Sequence, residues 1–156
     1  MIRPTTPADV PTVLQLVRDL ATYERDPDAV KATEATLHEA LFGAKPVAEA
    51  VLAEIEGRAV GVALFFTNFS TWTGKPGIYL EDLFVREEAR GSGAGTALLK
   101  HLAGIAVARG CTRFEWAVLD WNASAIGFYK SIGARAMDDW TIMRVEGEAL
   151  ARLAAD

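Results

Sequence analysis

The sequence predicts a single α/β domain in which one layer of strands packs with helices. Segments with apolar residues at helical spacing alternate with short apolar runs that end at glycine or proline, a pattern typical of strands. Their order is strand, two helices, three strands, helix, strand, helix, strand and a short tail helix. At 156 residues, 51 % of them hydrophobic, the chain can bury one proper core.

Two helices are predicted early in the chain, after a short strand at Met1–Arg3. The first covers residues 7–24, and the chain breaks after it at Asp26-Pro27-Asp28. The second covers Thr33–Phe42, with its first residue as cap and Gly43 as its stop. The apolar stripe of the first helix consists of Val10, Val13, Leu14, Val17 and Leu20.

Three strands follow the second helix. Val47–Ile55 and Arg58–Phe69 flank Glu56-Gly57, a dipeptide that favours a hairpin. Ser70–Gly77 is predicted to be a loop, and Ile78–Val85 the third strand. The remaining elements are a helix over Gly93–Arg109, a strand over Cys111–Leu119, a helix from Asn122 to about Ile132, a strand over Thr141–Val145 and a tail helix over Glu146–Leu153.

The glycine loop, Arg90–Gly95, is the most informative feature of the sequence. It lies between a predicted strand and a predicted helix, so amide groups without an internal partner gather there and carry partial positive charge. Glycine lets the backbone approach a bulky group closely. The loop therefore predicts a site for a phosphate-bearing small molecule.

Three kinds of phosphate loop are compared with this segment. A P-loop requires a lysine after its last glycine, and here Thr96 follows Gly95. A dinucleotide loop wants glycine at its first, third and sixth positions; Gly91 and Gly93 fit, Thr96 does not, and Glu115 lies at the expected distance for the acidic residue. Too little chain follows, however, for the repeated strand–helix units of a dinucleotide domain.

The third kind is the pyrophosphate loop of the Gcn5-related N-acetyltransferases, Arg/Gln-x-x-Gly-x-Gly/Ala, which the glycine loop resembles throughout. Over nearly its whole length the chain further resembles diamine (spermidine/spermine-type) and thialysine acetyltransferases. The residues that carry this resemblance are Tyr23-Glu24, Thr71-Trp72-Thr73-Gly74-Lys75, Ile78-Tyr79-Leu80-Glu81-Asp82, Trp121-Asn122 and Phe128-Tyr129-Lys130. The resemblance implies a mixed, mostly antiparallel central sheet with helices on both faces, and a homodimer.

The resemblance also implies acetyl-CoA as cosubstrate and no metal. The amides of the glycine loop would take its pyrophosphate, and the backbone of one strand would pair with its pantetheine arm. The alternative is that the loop is only a tight entry to the helix. The cofactor residues so implied are Leu83, Phe84, Val85, Arg90, Gly91, Ser92, Gly93, Ala94, Gly95, Thr96, Asn122, Ser124, Ala125 and Tyr129.

Two residues are implied to be catalytic. The phenol of Tyr129 has an ordinary pKa of about 10, against about 8.5 for a thiol. It therefore stays protonated at neutral pH and can deliver a proton to a departing thiolate. The alternative is a core aromatic, since Ile126, Tyr129 and Ile132 share a helical face. Glu81 would hold the amine and relay its proton through water, because a free aliphatic amine is mostly ammonium at neutral pH.

The substrate pocket implied by the resemblance is acidic and aromatic. Successive strand residues point to opposite faces, so only one of Glu81 and Asp82 is expected to face the substrate, and the resemblance selects Glu81. For each acid alone the alternative is a solvated surface charge, and for each tryptophan it is packing. The residues so implied are Tyr23, Glu24, Trp72, Glu81, Asp82, Glu115, Trp116, Ala117 and either Asp138 or Asp139.

Composition narrows the class of partner. The net charge is −5, without a basic run, which argues against nucleic acid, and no apolar run approaches a membrane span. A single cysteine, Cys111, excludes an internal disulfide and favours the cytoplasm. The sequence thus predicts acetyl-CoA-dependent N-acetylation of a small cationic amine, such as a diamine, polyamine or thialysine. The alternatives are an acetyltransferase for an amino acid, antibiotic or protein N-terminus, or a non-catalytic CoA-binding module.

Overall fold

The computed structural model describes residues 1–155, which form two compact units, Met1–Leu119 and a second that begins at Asp120. The second unit contains α4 (Ala123–Ser131) and α5 (Gly147–Ala155). The elements of the first unit are β1 (Ile2–Pro4), α1 (Val10–Tyr23), α2 (Glu34–Phe42), β2 (Glu49–Ile55), β3 (Arg58–Ser70), β4 (Lys75–Val85), α3 (Ala94–Ala108) and β5 (Phe114–Trp116).

The five strands form one sheet in the order in which they occur in the sequence. The pairings β1–β2, β2–β3 and β3–β4 are antiparallel, and β4–β5 is parallel. This confirms the prediction of a mixed, mostly antiparallel sheet. The parallel pairing ends at Leu80 and Trp116, while β4 runs on to Val85.

Helices cover both faces of the sheet, as predicted. On one face α1 and α2 share a core with alternate strand residues, among them Leu52, Val62 and Phe84. The residues between them, such as Ala63 and Phe65, are also buried. Since neighbouring residues of a strand point to opposite faces, these line the second face, where the buried stripe of α3 packs against β2, β3 and β4.

Several helix ends follow the predicted chemistry. The side chain of Thr33 accepts a hydrogen bond from the Thr36 amide, and that of Asn122 accepts one from the Ala125 amide at 3.2 Å. Residues 7–9, predicted as the first turn of α1, form a separate 3₁₀ turn before it.

One predicted strand does not form, and the bounds of two other predicted elements need correction. The strand at Thr141–Val145 does not form, because a strand needs a hydrogen-bonded neighbour and none pairs with it among residues 1–155; Met143 there is 86 % exposed. The strand predicted over Cys111–Leu119 is only Phe114–Trp116, the part that pairs with β4. The predicted loop 70–77 shrinks to a turn at 71–74, since β3 and β4 pair up to that point.

Candidate active site

The glycine loop enters α3 through two residues in the left-handed region. Gly91 has φ +81° and Gly93 has φ +87°, values that other residues adopt only with strain. Gly93 is the residue before α3, and the amide of Ala94 donates to Oγ of Ser92 at 3.3 Å. The loop is exposed from Arg90 to Gly93, so its backbone is accessible to a ligand.

The charge at this helix start fits an anion. The first turn of α3 contains no acidic residue, so the partial positive charge of its amides is not cancelled there. A Cβ added at Gly91 or Gly93 would meet no atom within 4 Å, which leaves open space beside the loop backbone. The predicted pyrophosphate-binding residues therefore form an accessible, positively polarised helix start.

The edge of β4 beside this loop is also open. On one side Leu83, Phe84 and Val85 pair with β3; on the other side, within residues 1–155, the pairing with β5 stops at Leu80. Phe84 is buried in the core, and its two neighbours are half-buried. The segment predicted to pair with a pantetheine arm thus has a strand edge with which an extended chain can pair.

A β-bulge places an acid beside that edge. Leu64 of β3 pairs with Asp82 and the next residue, Phe65, pairs with Leu80, so Glu81 is the extra residue on β4. The bulge interrupts the strict alternation on which the expectation for Glu81 and Asp82 rests, and a bulge re-aims side chains. Which of the two acids faces a substrate stays a prediction. Asp82 shares the face of Leu64, which is the α1 face of the sheet.

Two acids, Glu81 and Glu24, lie near enough to Asp82 for their charges to act on it, and the three together are here called the acidic patch. Burial, and then the neighbouring charges of Glu81 and Glu24, raise the pKa of Asp82 to about 6. Glu24 follows the last residue of α1, and although it keeps more than a third of its surface exposed, partial burial raises its pKa. The patch can therefore hold a cation, and one of its members titrates near neutral pH.

Tyr79 belongs beside this patch, although sequence reasoning gave it no role. It pairs with Phe66 on β3 and with Glu115 on β5, and its ring lies 5.2 Å from that of Phe66. Burial, then the charges of Glu81 and Glu115, raise the pKa of its phenol. Its spacing could have revealed it, because residues two apart on a regular strand point to the same face. Simple alternation along β4 therefore places Tyr79 on the same face as Glu81.

Three further residues of the predicted pocket lie on β5 or directly after it. Trp116 pairs with Leu80, on the sheet face opposite to Glu115, and stacks edge-on against Phe114 at 5.0 Å. Glu115 forms an ion pair with Arg113 at 2.9 Å, which offsets its charge. Ala117 directly follows β5.

The two remaining aromatic residues of the predicted substrate pocket lie at different places in the first unit. Trp72 lies in the β3–β4 turn and is 88 % exposed. Tyr23, the last residue of α1, lies against Arg90, with the guanidinium carbon 4.8 Å from the ring centroid. The structure therefore brings a predicted substrate residue into contact with a predicted cofactor residue.

The remaining predicted residues belong to the second unit. Asn122 caps α4, while Ser124 and Ala125 lie in its first turn. Tyr129 is half-buried on α4, with its ring 5.6 Å from that of Phe128. Asp138 and Asp139 are both exposed, and their roles, like that of Tyr129, stay predictions.

Metal-holding clusters and membrane-spanning helices are absent from the part of the chain that the structure describes. Residues 1–155 contain no cluster of three or more histidine, cysteine or acidic side chains placed to hold a metal ion. None of the helices described is both long enough and apolar enough to span a membrane.

Comparison with known proteins identifies relatives over nearly the full length. The family model described as the acetyltransferase (GNAT) family matches residues 12–134. A thialysine N-epsilon-acetyltransferase of Sus scrofa is 40 % identical over 165 aligned residues, covering 99 % of this chain and 96 % of that protein. An L-ornithine N5-acetyltransferase of Arabidopsis thaliana is 31 % identical, and the alignment covers 96 % of this chain and 85 % of that protein.

Solved structures agree on the fold. An integron cassette protein from the mobile metagenome of Vibrio cholerae superposes with a TM-score of 0.84 at 30 % identity, covering 100 % of this chain and 98 % of that one. An aminoglycoside acetyltransferase from a soil metagenome, in complex with sisomicin, has a TM-score of 0.76 at 18 % identity and 94 % coverage of both chains. The second likeness concerns the fold alone.

Proposed function

Since the chain belongs to the acetyltransferase (GNAT) family and is an N-acetyltransferase, we propose that it uses acetyl-CoA to acetylate a primary amine of a small cationic substrate, such as a diamine, a polyamine or thialysine. The acidic patch carries this proposal: Glu24, Glu81 and Asp82 interact electrostatically beside the open edge of β4. The 40 % identity to a thialysine N-epsilon-acetyltransferase supports the same class.

The cofactor part of the proposal rests on the glycine loop and β4. Amides at the start of α3 would hold the pyrophosphate, with Arg90 as a neighbouring cation. Backbone groups of Leu83 and Val85 would hold the arm, and one amide there would stabilise the oxyanion of the thioester carbonyl. Acetyl-CoA itself supplies an activated acetyl group.

The acidic patch would bind the substrate as an ammonium ion and then remove its proton. A cation placed against two or three carboxylates is stabilised by their charge, more so where the site is partly buried. Glu81 would take the proton through a water molecule, which leaves the nitrogen lone pair free to attack the carbonyl carbon. Asp82, whose pKa is raised to about 6, can accept a proton near neutral pH.

Tyr129 would complete the reaction as general acid, giving its phenolic proton to the sulfur when the carbon–sulfur bond breaks. A phenol stays protonated at neutral pH and is a stronger acid than water, which suits this role. The second unit holds this tyrosine on α4 next to Phe128.

We further propose that the protein is cytoplasmic, which its single cysteine supports, and that it forms a homodimer, which the family resemblance supports. Light scattering after size-exclusion chromatography tests the homodimer.

The deciding experiment measures thiol release from acetyl-CoA with a panel of amines. The panel contains a diamine, thialysine, ornithine, an aminoglycoside, a peptide N-terminus and a neutral-tailed monoamine of the diamine's length. We expect turnover with the doubly cationic amines and little with the monoamine. Equal rates with the monoamine refute the acidic-pocket assignment, and CoA binding without any turnover favours the non-catalytic module.

A further inference from the structure

We propose that Tyr23 is a positioning residue for Arg90: its ring orders the guanidinium beside the glycine loop, so that Tyr23 contributes to CoA affinity and not to amine recognition alone. The inference rests on the proposed cofactor and extends it to a residue outside the loop. Tyr23 ends α1 and lies far from Arg90 in the sequence, so no motif around the glycine loop identifies it as a partner.

Three contacts define the place of the Arg90 side chain. Its guanidinium carbon lies 4.8 Å from the ring centroid of Tyr23 and 5.9 Å from that of Phe84. Its Nε donates a hydrogen bond to the backbone oxygen of Val85 at 3.2 Å. An otherwise exposed arginine is thus held by α1 on one side and by β4 on the other.

The kind of contact matters as much as its presence. A carboxylate would also fix a guanidinium, but it would cancel the charge that an anionic ligand needs. None of the ion pairs found in residues 1–155 involves Arg90, and the first turn of α3 contains no acid. An aromatic face attracts the cation while leaving its net charge in place.

Ordering this side chain in advance should favour binding. A free arginine loses rotamer entropy when a ligand fixes it, and a side chain already fixed loses less. The end of α1 is a firm support, because Leu16 and Leu20 of the same helix are buried in the core. Tyr23 can therefore transmit the rigidity of α1 to the loop.

The same helix end reaches the acidic patch. Glu24 directly follows Tyr23, and its charge contributes to the raised pKa of Asp82. Neighbouring residues at the end of α1 would thus serve both substrates, with Tyr23 acting on the cofactor through Arg90 and Glu24 acting on the amine alone. This difference gives the test its contrast.

A double-mutant cycle measured by calorimetry of CoA binding tests the inference. A cation–π contact at an exposed site corresponds to about a two- to fivefold change in an equilibrium constant, so Tyr23→Leu should weaken CoA binding by up to about that factor. Tyr23→Phe, which keeps the ring, should bind CoA like wild type. In the Arg90→Ala background, Tyr23→Leu should have no further effect, because its partner is already absent.

Steady-state kinetics give a second readout. Tyr23→Leu should raise the KM for acetyl-CoA by a larger factor than it raises the KM for the amine. Phe69→Leu is the control, since Phe69 is an aromatic residue of β3 that is 62 % exposed and makes neither of the ring contacts with Arg90. If Tyr23→Leu does not fold, Tyr23→Met replaces it, because methionine keeps the length and helix preference without a ring.

The outcomes are distinct. Equal losses from Tyr23→Leu in the wild-type and Arg90→Ala backgrounds overturn the inference, and so does an effect on amine KM alone or an equal loss with Tyr23→Phe. Wild-type protein that does not bind CoA overturns the proposed cofactor, and this inference with it. Wild-type protein that binds CoA with no coupling between the two residues overturns the inference and leaves the proposed function standing.

Discussion

Replacement of Asp82 by asparagine should stabilise the protein at neutral pH. Burial and the charges of Glu81 and Glu24 raise the pKa of Asp82 from its ordinary 3.8 to about 6. Ionised Asp82 is therefore less favourable in the folded chain than in the unfolded one. The difference between the two pKa values corresponds to roughly 3 kcal/mol of stability at pH 8, as an upper limit.

The sign of the pH dependence follows from the direction of the shift. A carboxyl group whose pKa is higher in the folded state contributes its stability at low pH and loses it as pH rises. For Asp82 the loss runs from about pH 4 to about pH 7, spanning the two pKa values. The variant has no group to ionise there, so its advantage over wild type should grow across that range and then stay constant.

Urea unfolding at several pH values between 4 and 8 measures this difference. Carboxylates remote from Asp82 titrate alike in both proteins, so they cancel when the two free energies of unfolding are subtracted. Glu24 and Glu81 interact with the charge of Asp82, so their response is part of the measured difference. The exposed Asp28 provides the matched control, and Asp28→Asn should show no comparable growth with pH. Parallel stability curves for wild type and Asp82→Asn would show that Asp82 is not the strained acid that this reasoning requires.

Three further changes probe the site. Tyr129→Phe should keep the melting temperature and CoA affinity but lower turnover by about 10²–10⁴-fold, as loss of a general acid does; an intact rate with lower stability would instead make Tyr129 a core residue. Glu24→Gln should raise the KM for a diamine and spare that for acetyl-CoA, and an unchanged ratio of diamine to monoamine use contradicts this. Gly93→Ala should lower the free energy of unfolding by about 1–2 kcal/mol, because the φ of Gly93 is +87°. Gly104→Ala is the control: it lies inside α3 with open space around it and should stabilise by up to about 1 kcal/mol. Equal effects of the two changes would refute the loop conformation.

Local signals predicted most of the fold. The caps at Thr33 and Asn122 are visible in the sequence because a cap depends on a residue and its own next turn. The hairpin at Glu56-Gly57 is visible for the same reason, and both residues have positive φ. The predicted strand at residues 141–145 failed because its apolar pattern says nothing about whether a neighbouring strand is present to pair with it.

The site was harder to predict because its details depend on pairs that lie far apart in the sequence. The bulge at Glu81 is set by the register of β3 against β4, so the sequence Leu80-Glu81-Asp82 by itself indicates simple alternation. The contact of Tyr23 with Arg90 depends on how α1 packs on the sheet. Motif spacing could indicate which residues matter, but not which of them touch.

Under the proposed function, the arrangement along β4 would let a cationic amine and an anionic cofactor meet. The strand passes the acidic patch at Glu81 and Asp82, continues through Leu83–Val85 with one open edge, and leads to the positively polarised start of α3. An ammonium ion is attracted to the first part and a pyrophosphate to the last. The thioester and the amine would therefore be brought together at the uncharged segment between them, where a carbonyl can be polarised by backbone amides without competition from either charge.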